Sequence, residues 1–170
     1  MTNFMIEQGL VYAIVPARSG SKSVRDKNIK LLGDKPLIAW TIDSAQQALL
    51  IDRVFVSTNS SEYAKLAVNC GAEVPFLRPD SLSLDHSTDY EFVDHALQFL
   101  AEHECKLPQL LVHLRPTTPF RDSIVIDRAV ELFKSAKAVT SLRSVHRHSE
   151  SIYKSFEIKD GRLVSAFFHD

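Results

Sequence analysis

Short runs of apolar and β-branched residues alternate along this sequence with segments in which apolar residues recur at helical spacing. The runs at residues 10–15 (LVYAIV), 53–58 (RVFVST) and 110–114 (LLVHL) are typical of strands buried on both faces of a sheet. A shorter run at residues 74–77 (VPFL) predicts one more short strand. Because strand and helix alternate, we expect an α/β fold with a mainly parallel, Rossmann-like sheet, right-handed crossovers and helices on both faces.

Four helices are predicted between and after these strands. The first runs from Pro36 to about residue 50. The second begins at a cap formed by Ser60 or Ser61 and runs to Gly71, where a glycine suits a helix end. The third follows the polar segment 81–89, and the fourth begins at a cap formed by Asp122 or Ser123. The apolar residues expected on the buried face of the third helix are Tyr90, Val93, Leu97 and Leu100.

The pattern changes towards the end of the sequence. Residues 138–145 predict a strand, and residues 152–158 and 163–168 predict a β-hairpin around a turn at Asp160 and Gly161. No repeat, low-complexity tract or linker interrupts the sequence. We therefore predict a single domain over all 170 residues, in which the residues from about 138 onwards form a smaller element.

The composition excludes several classes of protein and partner. Lys and Arg number 20 against 21 Asp and Glu, and a net charge of −1 gives the whole molecule no attraction to nucleic acid or to an anionic membrane. Cys70 and Cys105 are too few for a disulfide framework or a zinc site. No apolar stretch reaches the roughly 18 residues of a membrane span, and the N-terminal segment does not resemble a signal peptide, so we expect a cytoplasmic protein.

Positive charge is concentrated in one loop. Between residues 18 and 30 the only acid is Asp26, and the basic residues are Arg18, Lys22, Arg25, Lys27 and Lys30. This loop leaves the carboxyl end of the first predicted strand, where open parallel sheets bind their ligands. Gly20 permits a tight turn, and the neighbouring serines offer further hydrogen-bond donors.

A polyphosphate requires this combination of close backbone approach, donors and cations. The loop differs from the common P-loop, because Gly-Lys followed by Ser or Thr does not occur, and its spacing does not match the dinucleotide fingerprint. We predict a phosphate-binding loop, and a solvated surface loop is the alternative.

Other chemically capable residues have a simpler structural interpretation. Four acidic residues near the third helix could bind Mg²⁺, but capping and decorating the helix start is the favoured interpretation. These acids are Asp85, Asp89, Glu91 and Asp94. His113 is interpreted as a core residue with satisfied hydrogen bonds, and Trp40 as a packing residue. A second positive set begins at Arg143 and extends to residue 148, where a solvated turn is an equal alternative.

The segment at residues 16–40, PARSGSKSVRDKNIKLLGDKPLIAW, resembles the signature of the acylneuraminate cytidylyltransferases. This family comprises the CMP-sialic acid synthetases and their relatives that act on other acidic nine-carbon sugars. The resemblance continues in order through VSTN (56–59), GAEVPFLRP (71–79), DHSTDYEFVDHAL (85–97), LRPTTPFR (114–121) and SLRSVHRHSESIYK (141–154). It covers nearly the whole chain and implies a sheet of the nucleotide-diphosphosugar transferase type.

The resemblance also implies which residues bind the substrates. The implied nucleotide-binding residues are Ala17, Arg18, Ser21, Lys22, Lys27, Asn28, Arg78, Ser87 and Asp89. Among these, Arg18, Lys22 and Lys27 are implied to act in catalysis. The residues implied to face the sugar are Arg115, Thr117 and Arg143. Arg115 stands where many family members have Gln, a difference that concerns sugar specificity more than fold.

The implied reaction is attack by the anomeric hydroxyl of an N-acylneuraminate or related nonulosonic acid on the α-phosphorus of CTP, with release of pyrophosphate. Alignment and charge neutralisation drive such chemistry, so the loop cations and a Mg²⁺ ion would carry most of it. A homodimer is implied as well. The family's Mg²⁺ ligands come from an Asp-x-Asp pair that follows a P-N-G segment, and neither occurs before Asp170, so the metal ligands stay unassigned.

Two alternatives remain open at this point. The first is a truncated, CTP-binding paralogue or fragment with little turnover, because the chain is shorter than the family pattern. The second is a cytidylyltransferase that acts on 3-deoxy-octulosonate with the same scaffold.

Overall fold

A parallel sheet of three strands lies at the centre of the unit Met1–Ala136, one of the two units into which the chain divides. The computed structural model describes residues 5–145 and 156–165. The strands of this unit are β1 (Met5–Pro16), β2 (Leu31–Leu32), β3 (Lys35–Pro36), β4 (Arg53–Ser57) and β5 (Lys106–His113). In the sheet, β1 lies between β4 and β5 and runs parallel to both, as the sequence predicted. The strands β2 and β3 form a small antiparallel pair.

Four helices connect the strands. They are α1 (Leu37–Gln46), α2 (Ser61–Asn69), α3 (Asp89–His103) and α4 (Ser123–Ser135). The predicted caps are confirmed, because the Ser60 hydroxyl accepts a hydrogen bond from Tyr63 N at the start of α2 and the Asp122 carboxylate accepts one from Ile124 N at the start of α4. The helix α1 ends earlier than predicted and begins one residue after Pro36.

The helices cover both faces of the sheet, which confirms the predicted layers. Ala13 and Val15 of β1 pack on one face in a buried cluster with residues of α1, α2 and α4. Tyr12 and Ile14 point to the opposite face, where the buried partners include Leu100 of α3. Alternate residues of β1 therefore serve two cores, and this is why the run LVYAIV is apolar throughout.

The buried face of α3 differs from the prediction. Phe92, Ala96 and Leu100 are buried, whereas Tyr90 is 75% exposed. These buried residues are spaced by four, so they form one line along the helix, and the large Phe92 ring packs beside Ile14. Leu100 of the predicted set is buried and Val93 packs partly buried against the same core, whereas the assignment of Tyr90 to the buried face is wrong.

Two predicted strands are wrong. Residues 74–77 form no strand; instead, the preceding Glu73 makes one isolated parallel bridge with Phe55, and its backbone exchanges hydrogen bonds with Val54 O and Val56 N. Residues 138–145 are irregular. A strand needs a neighbouring strand with which its backbone can pair. The apolar and β-branched residues of these two segments do not ensure that such a partner is present.

The described part of the second unit, Lys137–Asp170, contains an antiparallel hairpin of β6 (Phe156–Lys159) and β7 (Arg162–Ser165). Its turn residues, Asp160 and Gly161, have φ values of 52° and 73°, which fits a two-residue hairpin turn. The predicted turn is confirmed, and the outer parts of the two predicted strands lie outside the described residues. The prediction that the chain is a single domain stays a prediction.

Among the described residues, no helix combines the length and the apolar character needed to cross a lipid bilayer.

Candidate nucleotide-binding site

A pocket opens beyond the carboxyl ends of β1 and β5. It is bounded by the segment that follows β1, by the segment before α3 and by the residues that follow β5. The predicted site residues that line it are Arg18, Ser21, Lys27, Asn28, Arg78, Ser87, Asp89, Arg115 and Thr117. Residues that are far apart in the sequence thus meet at one edge of the sheet, as expected for a ligand site of a parallel α/β fold.

One hydrogen bond joins the basic loop to the sheet, and a second closes the loop on itself. Ala17, which is buried, donates its N–H to Ser57 O of β4 at 2.9 Å. Asn28 is also buried, and its side-chain amide donates to Arg18 O at 3.1 Å. Asn28 therefore closes the loop on itself and keeps the Arg18 backbone near the pocket.

A sharp backbone turn at Asp26 sets the position of Lys27. Asp26 has a φ of 53°, in the left-handed region, and its carbonyl accepts hydrogen bonds from the backbone N–H groups of Ile29 and Lys30. The single 3-10 turn Lys27–Ile29 follows directly. The carboxylate of Asp26 accepts a hydrogen bond from the Tyr63 hydroxyl at 3.1 Å. Tyr63 is 2% exposed, so this contact anchors the loop to the buried side of α2.

The start of the loop is held by Asn59, which follows β4. The Asn59 side-chain oxygen accepts hydrogen bonds from the backbone N–H of Ser19 at 2.9 Å and from its hydroxyl at 3.2 Å. The Asn59 amide donates to Asp80 at 3.0 Å. Asn59 therefore connects the loop to the segment that precedes α3.

Arg78 is a buried cation at the pocket. It is 5% exposed, its Nη2 donates to Ser57 O at 3.2 Å, and its guanidinium carbon lies 5.3 Å from the centre of the Phe92 ring. No carboxylate pairs with Arg78 in the described part of the chain, and its Nε has no hydrogen-bond partner there. Burial, together with the nearby charge of Arg18, lowers the pKa of Arg78 to about 10. The side chain therefore stays charged at neutral pH and is a strong attractant for an anion.

Arg115 also lines the pocket and, unlike Arg78, has a carboxylate partner. Its guanidinium forms an ion pair with Asp89 at the start of α3, and His113 Nδ1 lies 3.9 Å from the same carboxylate. Burial lowers the pKa of His113; Asp89 opposes this shift, while Arg115 and Arg121 add to it. The buried Nε2 of His113 has no hydrogen-bond partner among the described residues. The interpretation of His113 as a satisfied core residue is therefore wrong for this nitrogen.

The remaining predicted residues lie outside the pocket lining or in the second unit. Lys22 is exposed and forms an ion pair with Asp85. Ala17 is buried and contributes its backbone N–H, which donates to Ser57 O. Arg143 is exposed and belongs to the second unit, and its role stays a prediction.

Three of the acidic residues near α3 take part either in helix capping or in ion pairs. Glu91 completes a capping box with Thr88, and the hydrogen bonds from Thr88 lower the pKa of Glu91. Asp85 and Asp89 instead pair with basic side chains. Within residues 5–145 and 156–165, no three His, Cys, Asp or Glu side chains are grouped so that they could hold a metal ion.

Asn59 and Tyr63 support the site and were not predicted, and Thr88, which the resemblance places beside the nucleoside with Ser87 and Asp89, was not predicted as a helix cap. Asn59 follows β4 at the same sheet edge as the basic loop, so the rule for the carboxyl ends of parallel strands could have found it. Thr88 has a capping-box partner three residues later, which is also a recognisable pattern. Tyr63 carries no such signal, because its partner Asp26 is far away in the sequence.

The fold and this pocket define an α/β protein with a cationic binding site at the carboxyl edge of a parallel sheet. Residues 12–161 match the sequence profile of the cytidylyltransferases, and the chain belongs to this family. This finding confirms the resemblance drawn from the sequence.

Relatives with assigned names extend the comparison. The chain is 40% identical over 140 residues to an N-acylneuraminate cytidylyltransferase of Escherichia coli, an alignment that covers 82% of this chain and 32% of that protein. It is 39% identical over 136 residues to a CMP-N,N'-diacetyllegionaminic acid synthase of Legionella pneumophila, covering 79% of this chain and 58% of that protein. The chain thus spans about a third to just over half the length of these relatives.

Solved structures confirm the fold. A CMP:2-keto-3-deoxy-manno-octonic acid synthetase in complex with CTP superposes with a TM-score of 0.63 at 16% identity, covering 76% of this chain and 49% of that one. A 4-diphosphocytidyl-2C-methyl-D-erythritol synthase superposes with a TM-score of 0.61 at 14% identity, covering 94% of this chain and 68% of that one.

Proposed function

We propose that this chain binds CTP in the described pocket and transfers CMP to the anomeric hydroxyl of an N-acylneuraminate or related nonulosonic acid, releasing pyrophosphate. The observation that carries the proposal is the convergence of Arg18, Lys27 and the buried Arg78 at one sheet edge in a member of the cytidylyltransferase family. The names of the relatives from Escherichia coli and Legionella pneumophila support the sugar class.

The loop supplies the charge that a triphosphate requires. Lys27 lines the pocket and has no ion pair among the described residues, so its ammonium is free to meet a phosphate oxygen. We assign Arg18 and Lys22 to the same task, together with donors from Ser21 and Asn28. Ser87 and Asp89, on the opposite wall, would flank the nucleoside.

Arg78 would raise the affinity of the pocket for the nucleotide. Because the guanidinium is buried and no carboxylate among the described residues pairs with it, a bound anion would provide its counter-charge. Arg115 and Thr117 lie on the β5 side of the pocket and are the residues we assign to the sugar. Arg143 is the third residue of this proposed sugar set.

In the proposed reaction, the anomeric oxygen forms a bond to the α-phosphorus while the bond from that phosphorus to the bridging oxygen breaks. Pyrophosphate departs with the electron pair, and the hydroxyl proton passes to water. Positively charged donors fixed around the phosphates favour this displacement because they are already oriented when charge moves onto the leaving group.

We also propose Mg²⁺ as the cofactor, supplied as a complex with CTP. The described residues group no three suitable ligands, so phosphate oxygens and water would provide most of the coordination, as is common for this ion. When bound, the ion would neutralise phosphate charge.

For the molecule as a whole we propose a homodimer in the cytoplasm, where CTP is available. Sedimentation of the purified chain tests whether it forms a dimer.

The test is to incubate the purified chain with CTP, Mg²⁺ and N-acetylneuraminate or a related nonulosonic acid and to measure pyrophosphate release. Lys27→Ala is expected to reduce kcat/KM by about a hundredfold, since charge-assisted contacts to a phosphate contribute a few kcal/mol. Lys30→Ala removes the same charge three residues later, outside the pocket lining, and is expected to keep wild-type activity.

Two outcomes would redirect the assignment. Binding of CTP without release of pyrophosphate would contradict transferase activity and favour a CTP-binding role with little turnover. Release only with 3-deoxy-octulosonate would favour that sugar, a possibility kept open by the superposition with the CMP:2-keto-3-deoxy-manno-octonic acid synthetase.

A further inference from the structure

Asp85 holds two of the loop cations at once. Arg18 Nη2 donates to Asp85 Oδ1 at 2.8 Å, and Lys22 Nζ pairs with Asp85 Oδ2. Arg18 Nη1 also donates to Ser83 O at 3.1 Å. A segment more than sixty residues away in the sequence thus places one carboxylate between two groups that the proposed function assigns to phosphate.

The contacts of Asp85 reproduce those of a phosphate group. Each carboxylate oxygen meets a different cation, in the way that two oxygens of a phosphate would. Hydrogen bonds from Lys22 and Arg18 lower the pKa of Asp85, so the group is ionised at neutral pH. No other acid contacts Arg18 or Lys22 within the described ranges.

Lys27 gives the contrasting case. It lines the same pocket, and no acid pairs with it in the part of the chain that the structure describes. Of the three loop cations that the proposed function assigns to phosphate, Lys27 therefore has no acidic partner among the described residues, whereas Arg18 and Lys22 share Asp85. A polyphosphate that engages all three would compete with Asp85 for Arg18 and Lys22.

We propose that Asp85 is an internal anion that competes with phosphates for Arg18 and Lys22 and thereby weakens the binding of pyrophosphate. The inference rests on the proposed function, because it concerns the leaving group of that reaction. After transfer of CMP, the return of Asp85 to the two cations would favour departure of pyrophosphate. Asp85 is thus a positioning residue that limits product inhibition.

The test is calorimetric titration of the full chain with inorganic pyrophosphate. Each of the two exposed ion pairs changes an equilibrium by a factor of about two to five, so Asp85→Asn is expected to bind pyrophosphate about four to twenty-five times more tightly. Asp85→Glu keeps the negative charge and is expected to stay within about twofold of wild type. Asp34→Asn is the matched control, since Asp34 is exposed and forms no ion pair among the described residues.

Salt dependence provides a readout that a purely structural role would not change. In the wild type, pyrophosphate replaces one anion by another at Arg18 and Lys22, so added salt has a small effect. In Asp85→Asn the two cations gain a new partner, and the affinity is expected to fall more steeply with salt. The Asp85 side chain is 40% exposed, and equal thermal midpoints would verify that the variant folds.

The outcomes separate this inference from the proposed function. Equal affinity of Asp85→Asn and wild type for pyrophosphate would overturn the inference, whatever the chain does with CTP. Tighter binding in Asp85→Asn, combined with no transfer of CMP by the wild type, would support the competition between Asp85 and pyrophosphate but contradict the proposed function, and with it the role of Asp85 in product release.

Discussion

Tyr63 acts on the site through a single hydrogen bond to Asp26. Tyr63→Phe removes the donor and leaves the buried ring, so we expect a loss of about 1 kcal/mol in the free energy of unfolding. We also expect several-fold weaker CTP binding, because the left-handed turn that sets Lys27 loses its anchor. Chemical denaturation and calorimetry measure the two effects. Tyr90→Phe is the control, since Tyr90 is 75% exposed, and a matching loss in that variant would contradict the prediction.

The same contact predicts a distinct pH response. Burial and the hydrogen bond to Asp26 raise the pKa of Tyr63 to about 12. Because the folded state favours the neutral phenol, the stabilisation is complete below the ordinary pKa of about 10 and is lost as the pH rises through about 12. Ultraviolet titration should show a tyrosine that ionises near pH 12, and Tyr63→Phe should abolish that step.

The buried charge of Arg78 is expected to favour CTP binding and to lower the stability of the folded protein. Burial lowers its pKa, so the folded protein carries an unfavourable charge at neutral pH. Arg78→Met keeps the volume and removes the charge; we expect unfolding free energy to rise by about 1 kcal/mol and CTP affinity to fall by about tenfold. Thermal unfolding and calorimetry test this pair of changes. Arg128→Met, on the exposed side of α4, should alter neither quantity, and a destabilised Arg78→Met would contradict the argument.

At the scale of elements, the N-terminus of α3 joins the pocket to the sheet. Thr88 accepts a hydrogen bond from Glu91 N, while Glu91 accepts one from Thr88 N at 2.5 Å, and Asp89 and Phe92 of the same turn line the pocket. This capping box fixes the direction in which the helix begins. The orientation of the pocket wall therefore depends on two polar side chains.

Thr88→Ala is expected to lower the free energy of unfolding by about 1 kcal/mol, the usual effect of losing such a cap. Thr88→Ser retains the hydroxyl and should remain near wild type. The backbone N–H of Thr88, and after it the Thr88 hydroxyl, lower the pKa of Glu91, so part of the stability is present above the ordinary glutamate pKa and is lost as the pH falls through the lowered one. Thr88→Ala removes only the hydroxyl, so urea denaturation from pH 3 to 7 should show a slightly flatter profile for this variant.

Elements with regular apolar patterns could be predicted from the sequence, whereas irregular segments could not. β1 is apolar throughout its buried part because it serves two cores, and an uninterrupted apolar run of this length is typical of a strand covered on both faces. By contrast, the run at residues 74–77 has strand-forming residues but no free partner, since the bridge to Phe55 is made by Glu73. Pairing depends on tertiary contacts that local composition does not encode.

The candidate site shows the same division. Its cations were predictable, because charge in a loop after a buried strand has a defined location in a parallel fold. The ion pairs of Asp85 and Asp89 were not, because they join segments whose relative placement is decided by the packing of α3 against the sheet. The sequence thus predicts where the cations lie better than how they are paired in the unliganded site.

At the scale of the molecule, near-neutral net charge coexists with a concentrated positive site. The net charge of −1 gives no long-range attraction to polyanions, so discrimination falls to the pocket. There, neither Arg78 nor Lys27 has an ion pair within residues 5–145 and 156–165. Binding of CTP should therefore stabilise the unit that contains the pocket rather than cause non-specific association.

Binding linkage gives this stabilisation a size. At a CTP concentration of about 100 times Kd, the folded state gains about 2.7 kcal/mol, which corresponds to a rise in Tm of about 5–10 °C for a chain of this length. Differential scanning fluorimetry at increasing CTP measures the rise. Lys27→Ala should need a higher CTP concentration for the same shift, because it removes a phosphate contact, whereas Lys30→Ala should follow the wild-type curve. Identical curves for all three proteins would show that the stabilisation does not arise from the pocket, and would remove the basis for assigning the loop to phosphate.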